Sequence, residues 1–117
     1  GLLTALAGPA VALDRRLDGQ QITDRLAWNT VHIITADRGP ISAYLDAGGS
    51  MRGRAGGKSI DGHWSVHDGA LCTAQQAKAA AVCDTVILRD GKRLFLFTAA
   101  GRPDGELTVR RGNPDKF

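Results

Sequence analysis

Aromatic residues are scarce in this chain of 117 residues: two tryptophans, one tyrosine and three phenylalanines, 5% in all. With so few rings to stack on bases, nucleic acid is a poor partner despite the net charge of +3. Cysteine is limited to Cys72 and Cys83, so at most one internal disulfide is available. No apolar run reaches the about 20 residues that a membrane-spanning helix needs. No nucleophile motif, phosphate loop or metal-ligand spacing appears, so the chain reads as non-enzymatic, with no catalytic residue, metal or cofactor. There is no internal repeat, linker or low-complexity segment. A chain of this length makes one small domain that buries roughly two-thirds of its unfolded surface.

Glycine, in contrast, is plentiful at 15 residues, well above the usual share of about 7%. Many glycines punctuate short apolar runs, the pattern of an all-β chain with tight turns. The first twelve residues carry no charge and end in Ala10-Val11-Ala12, whose small residues suit signal peptidase. Residues 1–12 are therefore expected to be the remnant of a signal peptide, with 13–117 as the folded domain. No cysteine follows the cut to accept a lipid anchor, so the protein is expected in the periplasm or secreted.

One helix is legible. Ile22 and Leu26 are four apart in Asp18–Ala27, and Asp18 can cap its start. Strands follow: Thr30–Thr35, Ile41–Leu45, a weak basic Ser50–Ala55, Ile60–His67, a short one carrying Leu71-Cys72, Val82–Arg89, Lys92–Thr98 and Glu106–Arg111. Turns are expected at Asp37–Pro40, Asp46–Gly49 and Gly56–Ser59, and Thr73–Ala81 reads as a loop with a possible helical turn. Asp68-Gly69 and Asp90-Gly91 are hairpin signals that favour type I′ turns. Seven or eight antiparallel strands in succession close into a small meander barrel or a tightly curved sandwich, which removes exposed edges.

An exported chain is expected to join Cys72 to Cys83, at a gain of about 2–3 kcal/mol on the chain-entropy model. The competing use of both thiols, a metal site with His63 and His67, fails on spacing. In a strand those histidines stand about 13 Å apart, too far to share an ion. Trp64 and Val66 alternate with them and are expected to point inward. His32, in an apolar strand, reads as an ordinary half-buried residue.

Arg52 and Arg54 lie two apart on a strand and point the same way. With Lys58 they form a candidate basic patch for an anionic surface, glycan or acidic partner; Arg89, Lys92, Arg93, Arg110, Arg111 and Lys116 lie on other hairpins.

Gly19–Leu26, Asn29-Thr30, Ala43-Tyr44-Leu45, Gly62-His63-Trp64, Leu71-Cys72, Cys83 and Gly112-Asn113-Pro114 together resemble a set of small exported bacterial proteins with no assigned chemistry. The resemblance spans most of residues 17–117 and implies a lipocalin-like barrel outside the cytoplasm; it supplies no catalytic residues. The leading expectation is a monomeric binding module for a small apolar or amphipathic ligand, with Trp64, Tyr44, Phe95 and Phe97 as cavity candidates. The alternative is an interaction or inhibitor protein that meets a hydrolase or envelope partner through the exposed loops Gly48–Lys58 and Thr73–Ala81. A ligand binder should enclose a cavity, whereas an inhibitor should have a filled core and a protruding loop.

Overall fold

A computed structural model describes residues 14–35 and 39–117. The elements in chain order are β1 (Arg15–Arg16), α1 (Gly19–Leu26), β2 (Asn29–Ile34), β3 (Pro40–Leu45), β4 (Ser50–Ala55), β5 (Lys58–His67), β6 (Ala70–Ala74), β7 (Val82–Arg89), β8 (Arg93–Phe97) and β9 (Pro103–Arg111). Strands β2 to β9 form an antiparallel meander, and β9 returns to pair with β2, so eight strands close into a barrel. The architecture is compatible with a lipocalin-like fold. The expected signal remnant, and Asp37 and Arg38 of the expected turn, lie outside the described residues.

Alternation dictates which side chains fill the lumen. Val31 and Ile33 of β2, Ile41, Ala43 and Leu45 of β3, Met51, Ile60, Trp64, Leu71, Val86, Leu88, Leu94, Leu96 and Leu107 are all buried in one cluster. Helix α1 adds Ile22 and Leu26, each 1% exposed or less. Asp18 accepts from the Gln21 backbone N–H at 2.8 Å while Gln21 Oε1 accepts from the Asp18 N–H at 2.9 Å, a complete capping box. The helix leads into β2 through Trp28, whose N–H donates to the Leu45 carbonyl at 2.7 Å. It thereby stoppers the end of the barrel where β2 begins and β3 finishes.

Two glycines permit close approach of neighbouring strands. Gly53 and Gly62 occupy buried positions on β4 and β5, where a methyl group would come within 1.9 Å of the Ser42 carbonyl oxygen and 1.8 Å of the Ala74 carbonyl oxygen. The adjoining backbone lies so near that only a residue without Cβ fits. Both Asp-Gly hairpins have positive φ at each central residue, 51° and 71° at Asp68-Gly69 and 56° and 67° at Asp90-Gly91, as type I′ turns require.

Several elements depart from the sequence expectation: β5 begins at Lys58, inside the expected turn, and β9 at Pro103 ahead of the expected Glu106, since both pair with their neighbours over those residues. Strand β1 lies along β7 where β6 has ended, with Arg15 opposite Leu88 and Arg16 opposite Ile87. Arg16 fixes it there by donating to the Asp68 and Gly69 carbonyls at 3.3 and 3.5 Å. Thr73 and Ala74, expected in the loop after Cys72, belong instead to β6, because pairing with β5 runs on to His63 opposite Ala74.

Candidate functional site

The lumen was the first candidate. Its remaining cavity, about 20 Å³ between residues such as Val31, Ala43, Met51 and Leu96, has room for about one water. Leucine, isoleucine and methionine side chains have filled the space that an apolar ligand would need. Among the four aromatic cavity candidates, only Trp64 points inward, and its indole N–H donates to the Asp46 carbonyl at 2.7 Å. Tyr44, Phe95 and Phe97 fall at alternate positions on the outer face of β3 and β8. Their sequence parity already placed them opposite Ala43, Leu94 and Leu96.

The disulfide forms between Cys72 of β6 and Cys83 of β7, at directly opposed positions. It staples the base of the connection between those strands. From Gln76 to Cys83 every residue is exposed, and Ala77, Ala79, Ala80, Ala81 and Val82 give this crown a small, apolar character around Lys78. The other end is tied to β5: the Asp61 N–H donates to the Gln75 carbonyl at 3.2 Å, and Gln76 Nε2 to the Ser59 carbonyl at 3.3 Å. One turn bond, Ala79 N–H to the Gln76 carbonyl at 3.0 Å, shapes the crown itself. The other loop candidate, Gly48–Lys58, is strand β4 between two tight turns.

Arg52, Arg54 and Lys58 are exposed on β4 and the start of β5, and none of them has an acidic partner within ion-pair distance among the described residues. Across the barrel the arginines are engaged. Arg89 holds Asp14 with bonds of 3.0 and 2.9 Å, and Arg93 holds Glu106 with bonds of 3.1 and 2.7 Å. These hydrogen bonds keep both carboxyl groups below the usual carboxylate range and hold both guanidinium groups protonated more firmly still. The two guanidinium groups also lie 4.6 and 5.0 Å from the centre of the Phe95 ring. Phe95 is thus committed to a cationic stack on the barrel's outside.

A polar row runs across the outer face in register: Thr108 of β9, His32 of β2, Ser42 of β3, Arg54 of β4 and Ser59 of β5. His32 Nδ1 and Ser42 Oγ are 2.6 Å apart. The segment after β9 folds back over this row. Gly112 is pinned by the Thr30 hydroxyl at 2.7 Å and by Asn29 Oδ1 at 2.9 Å, and Asn113 bonds the backbone of Phe117 in both directions. Asp115 then stands 4.0 Å from His32 Nε2 and 3.6 Å from Arg110. The spacing of ten residues between His32 and Ser42 was the one sequence signal for their pairing across a hairpin, and it carries no chemical signature by itself.

No group of three metal-ligating side chains gathers among the described residues. Compared with family models, curated proteins and solved structures, the chain matches none.

Proposed function

We propose that the protein is a non-enzymatic interaction module that presents the 76–83 crown to a cleft on a partner, in the manner of an inhibitor of a hydrolase or envelope enzyme. The observation that carries this reading is an uninterrupted exposed segment whose two ends are anchored, one by the Cys72–Cys83 bond and the other by β5. Anchoring of this kind removes ordering costs before binding, and alanine side chains lose no rotamer freedom when they are buried. A lumen with space for one water favours this role over storage of an apolar ligand. The disulfide suits an oxidising compartment, and the periplasm or the extracellular space is the proposed location.

A photo-crosslinking residue placed in turn at Lys78, Ala80 and Lys92, in the full chain produced by its native host, tests the proposal. A discrete adduct from positions 78 and 80 that is absent from position 92, and that weakens when both cysteines become serine, is expected. Adducts spread evenly over the three positions, or none at all, would remove the crown from the function.

A further inference from the structure

The groove beside His32 has its own chemistry, independent of the crown. It opens over about 490 Å³ between Ser42, Arg54 and the folded-back Phe117. Arg54 brings a guanidinium with no acidic partner among the described residues. His32 Nε2 is buried and has no hydrogen bond among the described residues, with the Asp115 carboxylate 4.0 Å away.

That carboxylate decides the tautomer. A bare Nε2 would set a lone pair against a negative charge, so the neutral imidazole carries its proton on Nε2 and uses Nδ1 as an acceptor. The Ser42 hydroxyl proton, 2.6 Å from Nδ1, is then committed to the ring and cannot serve the groove. On a protonated ring, Nδ1–H donates to Ser42 Oγ, and the serine O–H is released to point at whatever lies beside Arg54.

We propose that this groove binds the oxyanion group of a ligand, a carboxylate or phosphate, through Arg54 and Ser42, with uptake of one proton by His32. Asp115 acts as a positioning residue that selects the tautomer and neutralises the imidazolium. Binding and protonation favour each other, so affinity rises as pH falls. The other polar groups near the ring are few. Thr108 is opposite His32 on β9, flanked on the same face by Glu106, which is held by Arg93, and by Arg110, which is shared with Asp115. Tyr44 lies two residues beyond Ser42 on β3.

The test is NMR titration of the full chain, following the His32 ring and the Arg54 side chain, with inorganic phosphate, benzoate and phosphatidylglycerol vesicles as separate probes. His63 and His67, exposed on β5, are internal controls. Saturable shifts are expected, with a dissociation constant on the order of millimolar; for benzoate, whose charge is constant over the range, it tightens about tenfold from about pH 8 to about pH 5.5. Benzoate ahead of phosphate identifies a carboxylate with an apolar body against Phe117, and the reverse order identifies a phosphate. A response to vesicles alone assigns the oxyanion to lipid headgroups. Arg54→Gln should weaken binding about tenfold or more, and His32→Gln should leave benzoate binding that no longer varies with pH. No response to any probe, wild-type affinity in Arg54→Gln, or equal benzoate affinity at both pH values would overturn the proposal.

Discussion

The two arginine-bearing faces of this barrel use the same side chain for different ends. On β7–β9, Arg89 and Arg93 are bolted to Asp14 and Glu106, and both lie over the Phe95 ring. On β4, Arg52 and Arg54 stand in solvent with no such partner among the described residues. The first arrangement fastens β1 and β9 to their neighbours. The second leaves charge available beside a groove. A count of basic residues treats the two alike, and so does register, since Arg52 lies directly opposite Asp61 on β5 without an ion pair, while Glu106, opposite Phe95, is held by Arg93.

The open face is free in charge but tight in packing. Gly62→Ala places a methyl group against the backbone of β6 and should cost about 3 kcal/mol or more, read by denaturant unfolding. A cost near zero would mean that the approach of β6 to β5 relaxes freely. Next in size is the staple: the Cys72→Ser/Cys83→Ser double variant should lose about 2–3 kcal/mol and lower Tm by on the order of 10 °C. A smaller contrast sharpens the comparison directly. Arg93→Gln should reduce thermal stability measurably, while Arg52→Gln and Arg54→Gln should leave it unchanged.

The acid limb supplies the finest distinction. The folded-state pKa of Glu106 is depressed by Arg93, so its contribution is fully present above the unfolded value, about pH 4, and disappears as pH falls through the lower folded value. Stability differences between the wild type and Glu106→Gln should therefore vanish at the acid end of a pH series. Arg54→Gln should run parallel to the wild type throughout.

Much of the barrel was legible in the residue pattern. The Ser50–Ala55 and Val82–Arg89 strands have the expected bounds. The Asp18 cap, both Asp-Gly turns, inward Trp64 and the cysteine pair follow from local chemistry that acts over a few residues. What stayed hidden depends on which distant strands become neighbours. Arg15 and Arg16 carry no strand pattern of their own, and pair only because β7 runs on past β6 and offers them an edge to join. Tyr44, Phe95 and Phe97 suggested a cavity by residue type, although alternation sets them on the side facing away from it. Likewise, Asp115 reaches His32 only because Asn29 and Thr30 fold the terminal segment back. Trp28 gave no signal at all; it is 59% exposed and has a φ of 66° at the turn between α1 and β2.

The pins on Gly112 have a bearing on the order in which the ring assembles. Each barrel pairing except one joins strands that follow each other along the chain, so hairpins can form early from local contacts. The exception is β2 with β9, and Gly112 meets Asn29 across 83 positions. Loop-closure entropy makes that closure the expected last step, and the bonds from Asn29 and Thr30 to Gly112 reinforce one end of it. A chain in which β2 and β9 were unpaired would carry two bare sheet edges, each a template for a second copy. The pins on Gly112 thus sit at the one seam whose opening would expose both edges.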